Sequence, residues 1–221
     1  MVTLATVFAL LPDWLDPQKL ISRGGYLLIF AIIFAGSGLL IGFFLPGDSL
    51  LFTAGMFAAG TFHEQFPNVQ FNIWIVLAGV FIAAVAGDQV GNAFGNKAGP
   101  ALFSRPDSRF FKQEHLEKAQ EFFDRHGPRA IVLARFVPIV RTFAPFVAGA
   151  GRMQYRTFVR YNVVGGFLWG VGVTLLGYFL GNVSLIADHV ELALLLVVAV
   201  SLIPIAIEVL RSRRQRDRVE T

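Results

Sequence analysis

The run Arg135-Phe136-Val137-Pro138-Ile139-Val140-Arg141-Thr142-Phe143-Ala144-Pro145-Phe146-Val147-Ala148-Gly149 decides how this chain is read. Its two arginines stand six residues apart in an otherwise largely apolar stretch, which Pro138 and Pro145 interrupt. An arginine at the centre of a bilayer costs about 2.5–3.5 kcal/mol on insertion scales. Two of them so close together require something anionic nearby. Proline removes a backbone donor and clashes with the preceding turn, so this stretch is not expected to form one simple helix. Pro138, Pro145 and Gly149 are the expected breaks. Arginine on broken backbone at membrane depth points to a site for a polar or anionic substrate.

The surrounding composition supports a membrane setting. The chain has 221 residues, 55% of them hydrophobic and 15% charged, where a soluble domain carries about 25% charged residues. Several uncharged runs approach or exceed bilayer length, so the expected class is an all-α integral membrane protein with one membrane domain. There are no cysteines, which excludes thiol catalysis, disulfides and thiolate metal sites. His63, His115, His126 and His189 lie outside the apolar runs and show no ligand spacing, so no metal or other cofactor is expected. The net charge is +4, much of it in the tail Arg211 to Arg218. Beside a hydrophobic span such a tail marks the cytoplasmic side and meets anionic lipid, and nucleic acid is not an expected partner.

Gly24 to Leu45 is uncharged and long enough to cross, and it ends at the turn Pro46-Gly47-Asp48. Ser49 to Phe62 is uncharged but short for a span, with Ser49 a candidate cap. A helix, a break and a half-helix fit this pattern better than two plain spans. A polar connector, residues 61–70, holds no Lys or Arg. The next span, from about Phe71 to Lys97, carries Gly79, Ala83, Gly87, Gly91 and Gly95 at a spacing of four, a series that Gly99 continues. That is a helix-packing face, with Asp88 beside it. Residues 113–126 read as an amphipathic helix at the interface, closed by Gly127-Pro128. Residues 130–151 read as a second broken hairpin, Tyr161 to Ala187 as a span, and Leu192 to Ile207 as a last span. The first eleven residues read as a surface-lying or partly inserted segment, with no basic start or cleavage site of a signal peptide. Trp74, Trp169 and Tyr178 read as packing or interface residues.

Basic residues crowd 97–129, 152–160 and 211–218, whereas 61–70 and 182–191 have none. The positive-inside rule then puts the middle of the chain and the C-terminus in the cytoplasm. The second hairpin enters from that side. A first hairpin entering from the other side would make the two an inverted repeat, an arrangement that builds midplane sites in transporters.

These residues carry a resemblance. Phe44-Leu45-Pro46-Gly47-Asp48-Ser49-Leu50-Leu51 resembles the first signature of the DedA membrane proteins, which belong to a larger SNARE-associated or VTT-domain group. Gly87-Asp88-Gln89 with Gly91 and Gly95 resembles the second signature, Arg135 to Gly149 the third, and Gly177-Tyr178-Phe179-Leu180-Gly181 fits the late span. The resemblance covers about residues 20–210. It implies a multi-pass protein of the bacterial cytoplasmic membrane that moves phosphate-bearing lipids, such as polyprenyl phosphate or phospholipid, with coupling to protons. Members of the family often carry a glutamate twelve residues before the Pro-Gly-Asp aspartate. This chain has Gly36 there, which removes one proton carrier and leaves Asp48 and Asp88 as the acidic partners.

Arginine suits a phosphate headgroup because its planar fork makes two parallel hydrogen bonds and stays charged. Arg135 and Arg141 are the expected phosphate ligands, neutralised by Asp48 and Asp88 when no substrate is bound. Proton exchange at either carboxylate would couple lipid release to pH. Pro46, Gly47, Pro138 and Pro145 supply the breaks. The expected partners are therefore a phosphate-bearing lipid and protons, with a homo-oligomer left open. Two other functions compete. One is an ion- or proton-coupled membrane-homeostasis protein that moves no lipid, its charges forming a structural network. The other is a membrane lipid-phosphate hydrolase, which would need a nucleophile activated beside the arginines. No histidine lies in the apolar core to serve it, and no enzymatic activity is expected.

Overall fold

The computed structural model describes residues 17–38, 45, 47–103 and 126–183. Pro46, the amphipathic stretch apart from His126, the last span, the basic tail and the first eleven residues lie outside the described residues. Among the described residues every element is helical. In chain order they are α1 (Pro17–Gly38), α2 (Gly47–Ala58), α3 (Ile73–Phe103), a 3-10 turn (Gly127–Arg129), α4 (Ala130–Ala134) and α5 (Pro138–Ala150). Then come α6 (Tyr155–Gly166), a π turn (Phe167–Val171) and α7 (Gly172–Gly181).

Among the described residues three helical runs are long and apolar enough to cross a membrane: Leu20–Gly38, Ile73–Ala98 and Tyr155–Gly181. The chain is a multi-pass membrane protein. α1 starts earlier than Gly24, and Gly25, at φ 54° and ψ −146°, kinks it. The late span also begins earlier than Tyr161, at Tyr155, and takes in Arg156 and Arg160. By contrast α2 has 12 residues and α5 has 13. At about 1.5 Å per residue each covers little more than half of a hydrocarbon core about 30 Å thick.

Both short helices end in the same way. In α2, Gly60 takes φ 83°, its N–H donates to Phe57 O, and Thr61 N–H donates to Met56 O. In α5, Arg152 takes φ 54°, its N–H donates to Gly149 O, and Met153 N–H donates to Ala148 O. Each is a Schellman cap, which satisfies the last carbonyls of a helix. Ser49 is not a cap, because the helix begins two residues earlier at Gly47 and Ser49 lies within its first turn.

Each short helix packs on a long one. On α3, Gly79 receives the Phe30 ring, Gly87 lies on the α1 backbone near Phe34 and Gly38, and Gly91 touches Gly38 and Pro145. Gly95 lies against the Phe146 backbone, and Gly149 of α5 lies against Asn92 and Asn96. One strip of small residues thus serves α1 along one half and α5 along the other, and only glycine lets the backbones come this close. Likewise Gly55 and Gly177 bring α2 and α7 into backbone contact. Two apolar clusters follow. Leu50, Leu51, Phe52 and Met56 pack with Ile29, Ile33, Val76 and Val80, while Ile131 and Ala134 pack with Phe143, Phe146 and Phe158.

Two expected breaks are corrected here. Pro145 lies inside α5, which continues through it. Its Cβ packs where α5 crosses Gly91, and its carbonyl accepts from Asn92 Nδ2 at 3.3 Å, so packing on α3 holds the helix together where the ladder loses a donor. Gly149 also stays helical. It provides close approach to α3, and the helix ends at the following cap.

Candidate functional site

The break between α4 and α5 follows from Pro138. A residue before proline is forced toward extended backbone, and Val137 adopts φ −116° and ψ 107°. Arg135 and Phe136 close tight turns onto Val132 O and Leu133 O. Pro138 then restarts the helix as its first residue, where a missing N–H costs nothing. Arg135 therefore sits on the bend, and Arg141 sits in the first turns of α5. Gly47 begins α2, so Asp48 lies in that helix's first turn, where a carboxylate is favoured by the helix dipole.

The structure brings Asp48, Asp88, Arg135 and Arg141 together around one indole. Arg135 Nη2 donates to Asp88 Oδ2 at 2.6 Å and to Asn162 Oδ1 at 2.6 Å. Asn162 is itself fixed, its Nδ2 donating to Val85 O at 3.1 Å. Arg141 Nη1 donates to Asp48 Oδ1 at 2.6 Å, and Trp169 Nε1 donates to the same oxygen at 2.7 Å. The Trp169 ring centroid lies 4.8 Å from Arg141 Cζ and 5.9 Å from Arg135 Cζ. Both are within cation–π range.

The two ion pairs differ. The Arg135 and Asp88 side chains are 2% and 4% exposed, whereas Asp48 is 23% exposed. Arg135 also carries an unusual excess of donors. Its Nε and Nη1 are buried without a hydrogen-bond partner among the described residues. Buried polar groups are nearly always paired, so each exception asks for an explanation. Room for this side chain comes from Gly165 and Gly166: a methyl group at Gly165 would lie 2.9 Å from Arg135 Cδ.

Three of these contributors were not read from sequence. Trp169, expected as a packing or interface residue, is buried and in addition donates a hydrogen bond to Asp48. Trp74, by comparison, is 75% exposed. Asn162 did carry a signal, as an amide inside an apolar span, and a buried polar group at that depth needs a partner. Gly165 carried none, because glycine is frequent in membrane helices.

The comparisons with known proteins agree with one another. The VTT domain matches residues 45–179, which contain all four charged residues of the site. The chain is 42% identical to Protein DedA of Escherichia coli K12 over 193 residues, 87% of this chain and 85% of that protein. It is 41% identical to an uncharacterised membrane protein of Mycobacterium leprae over 220 residues, covering 96% of this chain and 95% of the relative. A membrane protein of Mycobacterium bovis is 33% identical over 171 residues, 76% of each chain. No solved structure matches. With its signatures gathered at one site and its relatives aligned over most of its length, the chain belongs to the DedA family of VTT-domain membrane proteins.

Proposed function

We propose that this protein moves phosphate-bearing lipids, such as polyprenyl phosphate or phospholipid, across a bacterial cytoplasmic membrane by holding the headgroup between Arg135 and Arg141. The observation that carries this reading is the buried Arg135 guanidinium, whose Nε and Nη1 have no hydrogen-bond partner among the described residues, beside a second arginine whose own carboxylate is partly open. A phosphate monoester supplies acceptors for such donors. The N-termini of α2 and α5 meet at this point, tied by the Asp48–Arg141 bond, and helix N-termini favour anions. Asp88 and Trp169 lie near the middle of Ile73–Ala98 and Tyr155–Gly181, which suits a midplane site.

The same arrangement supports alternating access by two re-entrant hairpins related as an inverted repeat. α2 follows the first break and packs on the span of the second half. α5 follows the second break and packs on the span of the first half. Their matching lengths and Schellman caps fit this symmetry. Tyr26 of α1 and Phe57 of α2 both contact Phe71, two residues before α3 begins, as a hairpin returning to its own face would have it. Arg129 and Arg152 flank the second hairpin, and the positive-inside rule puts them and the C-terminus in the cytoplasm. Proton coupling falls to Asp48 or Asp88.

The test is leaflet exchange in proteoliposomes made with labelled polyprenyl phosphate or labelled phospholipid. Exchange above that of protein-free vesicles supports transport. Release of free phosphate would mark a hydrolase. Neither exchange nor release, in folded protein, would favour the homeostasis reading with a purely structural charge network.

A further inference from the structure

The late span is not one regular helix, and its irregularity lies at Trp169. Before it, the buried positions Phe158, Asn162, Gly165 and Trp169 follow a spacing of four, three and four. After it, Gly170, Thr174, Gly177 and Gly181 repeat the same spacing. The two series are offset by one residue, and the π turn Phe167–Val171 is where the extra residue enters. π turns inside α-helices are frequent at functional sites. Here the insertion lets one face meet α2 twice. Trp169 reaches Asp48 at the start of α2, and Gly177 still packs on the Phe52 backbone.

Asp48 Oδ1 is held by two donors, Arg141 Nη1 and Trp169 Nε1, while the ring of Trp169 covers Arg141. An anion that takes Arg141 by the guanidinium edge containing Nη1 has to displace this carboxylate, because Asp48 already occupies that nitrogen. The indole N–H opposes that displacement. We propose that Trp169 is a positioning residue that holds Asp48 on Arg141 as a built-in occupant of the site and thereby lowers the site's affinity for a lipid phosphate. This rests on the reading of Arg135 and Arg141 as the phosphate ligands. It goes beyond that reading by assigning an affinity-setting role to a residue that meets the anion only through Asp48.

Trp169→Phe keeps an aromatic ring beside the arginines and removes the N–H. The probe is decyl phosphate, titrated into the full chain in maltoside micelles, which contain no phosphate. The expected result is binding about ten- to a hundredfold tighter than in the native chain, since a hydrogen bond to a charged acceptor contributes on that order. Asp48→Asn should also tighten binding. The double variant should be no tighter than Asp48→Asn alone, because Trp169 acts through Asp48 and the two effects do not add. A packing role alone predicts weaker binding in Trp169→Phe. Unchanged or weaker binding there, while the native chain binds, overturns this proposal and leaves the phosphate site standing. No binding by either the native chain or Asp48→Asn overturns both. A second measurement leaves Trp169 in place. With Trp14 and Trp74 replaced by Phe, decyl phosphate should shift Trp169 emission saturably as Asp48 leaves it, and binding without any shift overturns the proposal.

Discussion

At the residue scale, four charges and one indole form a set whose members differ in cost. Arg135 and Asp88 are both buried, and removing one partner of such a pair strands a charge, at about 3–5 kcal/mol. Arg135→Ala is therefore expected to lower unfolding stability in detergent by about that much, with Arg141→Ala losing clearly less because Asp48 is partly open and keeps Trp169. Equal losses would contradict the distinction between a locked and an exchangeable pair. The proposed proton coupling is tested at this scale: if Asp48 carries the proton, Asp48→Asn should alter the pH response of lipid exchange, and an unchanged response would limit Asp48 to neutralising Arg141. A Cβ at Gly36 would meet no atom within 4 Å, so a side chain has room to start there, and Gly36→Glu should steepen the pH response. The four charged residues were legible in the sequence because charge in apolar runs has few affordable explanations. Trp169 and Gly165 were not, because their types are common in spans for ordinary packing reasons.

At the element scale, the sequence marks where helices must stop better than where they continue. Pro138 forces a bend through Val137, and that break is where the structure has it. Pro145 exerts the same local pressure, yet α5 runs through it, since packing at Gly91 and the Asn92 hydrogen bond support the helix there. The π turn left no legible trace, because it follows from two packing registers on one span and not from local propensity. Two expectations belong here. Single cysteines placed at Arg129 and Arg152, in a chain that has none of its own, should label from the same cytoplasmic face. Labelling from opposite faces would make residues 130–151 a crossing segment. Gly55→Leu should destabilise the protein by about 1–3 kcal/mol, the usual cost of overpacking, because the added atoms meet backbone at Thr174, Gly177 and Tyr178 that cannot turn aside. Wild-type melting of Gly55→Leu would contradict the close α2–α7 contact.

At the scale of the whole molecule, two half-length helices meet end to end between long ones, and the charges lie where they meet. The helical membrane class and the break at Pro138 could be read from hydropathy and proline. The reciprocal packing of α2 on α7 and α5 on α3 could not, because glycine faces show that a helix will be approached closely without showing by which one. That packing is what carries Asp48 to Arg141, across 93 residues of sequence. The proposal that this meeting point binds and moves a lipid phosphate is decided by leaflet exchange of labelled polyprenyl phosphate or phospholipid by Arg141 variants in proteoliposomes. Arg141→Ala should insert, fold and lose exchange, and Arg141→Lys should retain an intermediate rate because it keeps the charge and loses the fork. Full exchange by folded Arg141→Ala would contradict the account and leave the arginines as a structural ion-pair network.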